Sequence, residues 1–198
     1  MTFTKARFAS FEEYLTADPS DLPEGRCEYW DGELVPVMSE SLLNEAIANY
    51  LAFVLWQMGI DQMLASPGKI SIVVNGRPRT RFPDLTLLHD AHLVLMERSI
   101  RVGATMPPPR FVVEVVSLGD EDSENYTRDY HDKRDQYADR GIPEYWLIDP
   151  QRSWVMVGNL VAGRYQFTTF RGSQTIISQA LPTLDLTVTS VLTRGARR

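Results

Sequence analysis

Apolar residues recur along this chain at the spacings of helices and strands, with polar, turn-forming segments between them. The longest apolar run extends from Leu42 to Ile60 and is long enough to raise the question of a membrane span. Asn44 and Glu45 are among the polar residues that interrupt this run, and its apolar residues follow three- and four-residue spacing. The pattern predicts a core helix packed on a sheet, with Ser39 or Ser41 as its N-cap.

Turn and capping residues mark the elements on both sides of this helix. Ser10 and Glu13 form a capping box, which predicts a short helix from Phe11 to about Thr16. Asp31-Gly32 predicts a hairpin turn between the strands CEYW and ELVPV. Asn75-Gly76 predicts a second hairpin, between KISIVV and RPRTRF.

The order strand, helix, strand predicts the centre of the sheet. DLTLL is read as a strand, followed by RFVVEVVS from Arg110 to Ser117, which is apolar enough to be buried on both faces. A charged amphipathic helix is expected from Glu124 to Arg140, ended by Gly141, and EYWLI from Glu144 to Ile148 is the next buried strand. This order favours a parallel pair of neighbouring strands with a right-handed crossover.

The remaining chain predicts short strands: WVMVGNL, RYQFTTF, TIIS and LDLTV. No linker separates them from the rest, so we expect one domain over residues 1–198, with a core at about 26–150 and a C-terminal β meander at about 151–192. The predicted fold class is α/β or α+β: a mixed sheet flanked by helices, with a β-rich C-terminal extension.

Charge and cysteine content restrict the function classes. The net charge of −6 and the pI near 5.1 argue against a general nucleic-acid coat or a polybasic membrane binder, but leave room for a local basic groove. Cys27 is the only cysteine, which excludes an intrachain disulfide and a cysteine-cluster metal site. The N-terminus lacks a hydrophobic signal core. A cytoplasmic protein without membrane partners is therefore expected.

One carboxylate stands in the middle of an apolar strand. Glu114 needs a cation, a hydrogen-bond partner or a shifted pKa, because an unpaired buried carboxylate is unstable. Asp84 and Glu114 near strand ends could hold a hard divalent cation, with Lys133 stabilising negative charge or orienting a water. Alternatively, Glu114 forms a structural ion pair with Lys133 or an arginine, and Asp129 is only a surface partner of Lys133.

These residues carry a family resemblance. The sequences FPD at 82–84, PPPRFVVEVVS at 107–117 and RDYHDKRDQYADRGIPEYWLIDP at 128–150 resemble the Uma-two family of the PD-(D/E)xK restriction-endonuclease-like superfamily. The hairpin around Glu28 to Val35 and the Leu-Pro pair at 181–182 are also similar. The resemblance implies a restriction-endonuclease-like fold and metal-dependent hydrolysis of DNA by an endonuclease.

The resemblance also implies roles for single residues. Asp84 is then the PD aspartate and Glu114 the (D/E) acid, both ligands of Mg²⁺ or Mn²⁺ together with the backbone carbonyl of Val115. Val116 occupies the usual lysine position, so the lysine of the motif is Lys133 on the following helix. The alternative is a catalytically inactive module on the same fold that binds nucleic acid or protein.

Further candidates lie around this trio. Asp129 and Tyr137 are each four residues from Lys133, so the three side chains share one helix face that can point at Glu114. The superfamily often adds a carboxylate from the helix before the catalytic strands, for which Glu45 and Glu28 are candidates. Asn44 departs from the family, where many members carry a histidine.

Three arginines alternate on one predicted strand. Arg77, Arg79 and Arg81 could form a basic band that contacts DNA phosphates, or they could be the solvated face of a hairpin. DNA is the partner that the resemblance implies. The sequence does not decide between a monomer and a homodimer.

Overall fold

The computed structural model describes residues 7–37, 41–96, 100–117, 119 and 124–194. Its helices are α1 (Phe11–Thr16), α2 (Leu42–Gln57), α3 (Asp90–Leu95), α4 (Glu124–Thr127), α5 (Lys133–Asp139) and α6 (Val188–Arg194). A 3₁₀ turn (Pro19–Asp21) follows α1, and a π turn (Arg128–Asp132) joins α4 to α5. The strands are β1 (Cys27–Trp30), β2 (Glu33–Pro36), β3 (Ala65–Pro67), β4 (Ser71–Val73), β5 (Thr80–Arg81), β6 (Leu85–Leu87), β7 (Arg101–Val102), β8 (Phe111–Val115), β9 (Glu144–Asp149), β10 (Trp154–Val161) and β11 (Arg164–Arg171).

A mixed sheet of six strands forms the centre of the fold, in the order β11-β10-β9-β8-β6-β3. Strands β8 and β9 are parallel, and the other neighbours in this sheet are antiparallel. The predicted parallel pair joined by a helical crossover is therefore confirmed. The hairpin β1-β2 and the three-stranded sheet β5-β4-β7 lie outside this sheet.

The predicted caps and the first turn are present. The Ser10 side chain caps α1 by accepting a hydrogen bond from the Glu13 amide. The Ser41 hydroxyl does the same for the Asn44 amide at the start of α2, at 3.1 Å, whereas Ser39 lies outside the described residues. Asp31 and Gly32 both have positive φ, 44° and 92°, as the tight turn of a two-residue hairpin requires.

The second hairpin differs from its prediction. Strands β4 and β5 pair antiparallel, but their connection extends from Val74 to Arg79 instead of turning tightly at Asn75-Gly76. The Arg79 amide donates to the Tyr29 carbonyl, and the Tyr29 amide donates to the Thr80 hydroxyl. The Val74 amide donates to the Arg79 carbonyl and continues the ladder by one hydrogen bond, whereas the hydrogen bonds of Arg79 and Thr80 with Tyr29 attach this hairpin to the first one.

Helix α2 packs its apolar face on the central sheet. Ile47, Leu51, Ala52 and Leu55 are almost completely buried there, which confirms the predicted core helix. Among the described residues, no helix is both long enough and apolar enough to span a membrane.

The C-terminal extension is only partly the predicted meander. Strands β10 and β11 are confirmed, but TIIS and LDLTV contribute only an isolated bridge between Thr175 and Thr187. Leu184, Leu186 and Val188 are buried while Asp185 is exposed, so the alternation predicts the buried face but not a strand. The chain then enters α6, which the sequence analysis missed.

Candidate active site

Glu114 lies in β8, where every side chain is buried, and is 1% exposed. Two groups from the crossover helix satisfy its carboxylate. The Lys133 ammonium donates to Oε2 at 2.7 Å, and the Tyr137 hydroxyl donates to Oε1. The cation and the hydrogen-bond partner that the sequence requires are therefore both supplied by α5.

A second buried carboxylate holds Lys133 from the other side. Asp129 Oδ1 lies 2.9 Å from the Lys133 ammonium and 3.0 Å from Arg128 Nε. Asp129 Oδ2 accepts a hydrogen bond of 3.3 Å from the Ser117 amide, just beyond the end of β8. Asp129 is 1% exposed, so it is a buried partner of Lys133 and not the surface partner considered as an alternative.

The crossover helix is not a continuous α-helix at this point. In the π turn Arg128–Asp132, the Lys133 amide donates to the Arg128 carbonyl, five residues earlier. Asp129 lies inside the turn and Tyr137 on α5, and both side chains contact the Glu114–Lys133 pair. Such π turns occur frequently at functional sites.

Asp84 approaches the same site from the neighbouring strand. The register pairs Leu85 with Val113, so continuing it by one residue brings Asp84 opposite Glu114. Asp84 Oδ2 accepts a hydrogen bond of 2.6 Å from the Val115 amide. The charge of Asp84 also contributes to the raised pKa of Lys133. The three residues of the predicted trio therefore converge.

Asn44 is a neighbour of this site that sequence reasoning did not place. Its side-chain amide donates to the Val115 carbonyl at 2.9 Å, which is the carbonyl predicted to be a metal ligand. The Ser41 hydroxyl donates to Asn44 Oδ1 at 2.8 Å and orients the amide. Two features of the sequence point to this position: Asn44 interrupts an apolar helix face, and it departs from the family resemblance, in which a histidine is common there.

The ionisation of the cluster follows from burial and mutual charge. Burial raises the pKa of Glu114, although Lys133 stabilises the carboxylate. For Asp129, burial acts in the same direction, but Lys133 and Arg128 hold its pKa below the usual value. Burial disfavours the Lys133 ammonium, yet the charges of Glu114 and Asp129 raise the pKa of Lys133 above its ordinary range. Lys133 is therefore a cation at neutral pH and cannot act there as a general base.

The two additional acid candidates, Glu45 and Glu28, lie in different surroundings. Glu45 lies exposed on the first turn of α2 and lines a cleft of about 560 Å³ together with Asp84. Glu28 lies on β1, where Oε1 is 3.2 Å from the guanidinium of Arg81. Glu45 is therefore the candidate in the same cleft as Asp84, whereas Glu28 forms an ion pair with Arg81.

The predicted basic band does not form. Arg81 is 1% exposed and also donates to Gln136 at 2.7 Å, so its assignment as a DNA contact is wrong. The exposed Arg77 pairs with Asp31 at 3.0 Å, and the Arg79 guanidinium lies 4.0 Å above the ring of Phe11. The loop between β4 and β5 is irregular, so the three arginines do not share one face of a strand.

The predicted divalent cation requires ligands, which can be compared with the side chains that the structure describes. Within the described ranges, no three His, Cys, Asp or Glu side chains are grouped so that they could hold a metal ion. The predicted set differs from such a group: it consists of two carboxylates, Asp84 and Glu114, and the carbonyl of Val115. Oxygen ligands suit Mg²⁺ and Mn²⁺, and each carboxylate oxygen has two lone pairs, so one hydrogen bond leaves a second position. The donor chemistry therefore fits a divalent cation.

Comparison with known proteins identifies the fold and then the family. The fold is shared with a crystal structure described as a "putative nuclease belonging to DUF820" from Anabaena variabilis ATCC 29413, at a TM-score of 0.65 and 15% sequence identity, covering 93% of this chain and 98% of that one. The model of the family Uma2, described as "putative restriction endonuclease", matches residues 11–189. The chain belongs to the Uma2 family. No curated protein matches it.

Proposed function

We propose that this protein is a metal-dependent endonuclease that hydrolyses DNA phosphodiester bonds at the carboxyl end of β8. One observation carries the proposal: Asp84 directly before β6, Glu114 on β8 and Lys133 on α5 meet beside an open cleft. The family description and the nuclease-like fold support a nuclease role.

In this proposal, Asp84, Glu114 and the Val115 carbonyl hold Mg²⁺ or Mn²⁺. A bound divalent cation supplies charge stabilisation at the phosphoryl oxygen and lowers the pKa of a coordinated water. The protein contributes the rigidity of the ligands. The Val115 amide orients Asp84, Tyr137 orients Glu114, and Asn44 orients the Val115 carbonyl.

Lys133 has an electrostatic role. Its raised pKa keeps it protonated, so its ammonium stabilises the negative charge that develops on the phosphate or orients the attacking water. Its side chain is 14% exposed, and it lies between Glu114 and Asp129 at hydrogen-bond distance. The two carboxylates therefore fix its position before any substrate is present.

The proposal is tested by incubating supercoiled plasmid and single-stranded DNA with the protein in Mg²⁺, Mn²⁺ or EDTA. The wild type is expected to nick or cut DNA only with a metal, and Asp84→Asn is expected to lower the rate by about 100-fold or more, because a ligand is lost. Asp135→Asn is the matched control, since Asp135 is exposed on α5 and, among the described residues, forms an ion pair with its neighbour Arg134 alone. Cleavage in EDTA, or cleavage by Asp84→Asn at the wild-type rate, would contradict the proposal.

A second candidate is a catalytically inactive binding module. It is favoured by the fact that both Glu114 oxygens and one Asp84 oxygen already have protein partners. Calorimetric titration with Mn²⁺ separates the two functions. A saturable site that disappears in Asp84→Asn supports the nuclease, whereas the absence of any saturable binding supports the module.

A further inference from the structure

The cleft that Asp84 lines extends away from the acid–lysine cluster, between α2 and the segment 62–69 that contains β3. Its volume is about 560 Å³, within the usual range of sites for small ligands or parts of larger ones. Asp84 lies in the wall of this cleft. A DNA strand whose phosphate is positioned for hydrolysis near Asp84 would therefore continue into the cleft.

Two cations of this cleft have no carboxylate partner among the residues that the structure describes. Lys69 is exposed, and in the described part of the chain it has no ion pair or side-chain hydrogen bond. The Arg26 guanidinium makes a single long hydrogen bond of 3.4 Å to the Gly68 carbonyl and forms no ion pair with any described carboxylate. Arg77 and Arg81, by contrast, are both neutralised by carboxylates. The charges available for an anion are therefore those of Arg26 and Lys69.

The rest of the lining is polar and uncharged, apart from Glu45 and Asp84. Asn49, Gln62 and Ser66 offer hydrogen-bonding groups along the cleft. The half-buried Trp56 also lines it, with its indole N–H fixed on the Ala65 carbonyl at 3.2 Å. Cations combined with neutral polar groups and an aromatic ring are typical of surfaces that follow a nucleic-acid backbone.

We propose that this cleft binds the DNA strand next to the phosphate that is cut, with Lys69 and Arg26 on its flanking phosphates. The inference rests on the proposed function, because it places the reacting phosphate at Asp84. The two cations balance the two carboxylates Glu45 and Asp84 in charge, so the cleft is neutral without a divalent cation and positive with one. DNA is therefore expected to bind more tightly with a divalent cation than in EDTA.

The test measures binding and cleavage separately. Fluorescence anisotropy of labelled single-stranded and duplex oligonucleotides gives the affinity in Ca²⁺ and in EDTA at several salt concentrations. Lys69→Ala and Arg26→Gln are each expected to weaken binding in Ca²⁺ by about 3- to 10-fold and to reduce the salt slope by about 0.7 to 0.9, the value for one lost phosphate contact. Arg77→Ala, which removes an exposed arginine outside the cleft, is the matched control and should bind as the wild type does.

The outcomes distinguish the two proposals. If the wild type binds DNA without cutting it, and the two variants bind more weakly, the hydrolytic function fails and the binding cleft stands. If the wild type cuts DNA but Lys69→Ala and Arg26→Gln keep its affinity and salt slope, the cleft is wrong and the nuclease stands. If the wild type does not bind DNA, the proposed binding role of the cleft is wrong. The same conclusion follows if Arg77→Ala loses as much affinity as Lys69→Ala and Arg26→Gln. Melting curves check that each variant is folded, and the exposed Lys69 provides a variant that does not disturb the core.

Discussion

Two glutamates are buried in adjacent parallel strands of the same sheet, yet their surroundings differ. Glu114 on β8 is 1% exposed and Glu144 on β9 is 2% exposed. The register pairs Phe111 with Glu144 and Glu114 with Leu147, so the two carboxylates lie at opposite ends of the strand pair. Burial alone does not distinguish them, but their hydrogen-bond partners do.

In the described part of the chain, the hydrogen-bond donors to Glu144 are all neutral. Oε1 accepts from the indole of Trp146 and the hydroxyl of Ser178, both at 2.6 Å. Oε2 accepts from the amides of Gln179 and Ala180 at 2.7 and 2.9 Å. Four donors satisfy this carboxylate, and the three from Ser178, Gln179 and Ala180 attach the C-terminal extension to the central sheet. Glu144 is therefore a structural clamp.

Glu114 instead shares a cation with a second carboxylate. Lys133 lies between Glu114 and Asp129, and Asp84 adds a third negative charge nearby. Arg128 also pairs with Asp129, and an arrangement in which three buried carboxylates share two cations is unfavourable for stability unless further groups compensate it. Such an arrangement is typical of a reaction site. A buried carboxylate that accepts hydrogen bonds from neutral donors is instead typical of a structural role.

The largest difference is expected when one hydrogen-bond donor to each glutamate is removed. Lys133→Met keeps most of the side-chain volume but removes the charge, and we expect it to reduce DNA cleavage by about 100-fold or more. Ser178→Ala removes a hydroxyl from Glu144 and should leave cleavage by the folded protein within about 3-fold of the wild type, because neutral clamps do not touch substrate. Equal rates in Lys133→Met and the wild type would remove the electrostatic role of Lys133.

For cleavage the larger effect is expected at Glu114, but for stability we expect the larger effect when Glu144 is neutralised. Glu144→Gln places an amide N–H₂ against donors, and we expect it to lower the free energy of unfolding by about 2–4 kcal/mol. Glu114→Gln should cost only about 1 kcal/mol, because Asp129 still neutralises Lys133 and the amide oxygen can still accept a hydrogen bond.

Urea unfolding of the metal-free proteins measures both values. Glu114→Gln should also abolish Mn²⁺ binding, which Glu144→Gln should retain. A larger loss of stability in Glu114→Gln than in Glu144→Gln would make Glu114 the structural residue of the two.

The smallest expected effect is on how the free energy of unfolding decreases at acidic pH. The pKa of Asp129 is lowered in the folded state, so its stabilising contribution is complete above its unfolded pKa of about 4 and is lost as the pH falls through its folded pKa. In Asp129→Asn, the free energy of unfolding should therefore decrease less between about pH 5 and pH 2 than in the wild type. Parallel curves for the two proteins in urea titrations at stepped pH would show that Asp129 does not have this lowered pKa.

The centre of the fold could be predicted because its determinants are local. Alternation, turn residues and the order strand, helix, strand are enough to predict β8, β9 and their parallel pairing. The four-residue spacing of Asp129, Lys133 and Tyr137 likewise predicts one helix face, which the structure places against Glu114. The roles of these residues in catalysis remain predictions.

Other features depend on contacts between distant parts of the chain. Asn44 reaches Val115 only because of the way in which α2 docks on the sheet. Arg81 is buried because Glu28 on another hairpin meets it, which alternation within one strand cannot show. No residue type in Arg128–Asp132 indicates that this segment forms a π turn.

The clamp at Glu144 has a consequence for the order of events during synthesis. Its donors Ser178, Gln179 and Ala180 emerge from the ribosome after every strand of the central sheet, and Val188 and Val191 of α6 are completely buried later still. A nascent chain that ends before these residues holds Glu144 without its clamp and an apolar surface without its cover. The sheet that presents Asp84 and Glu114 therefore reaches its native packing only after translation has passed the C-terminal extension, and until then the exposed apolar surface of the growing chain favours aggregation.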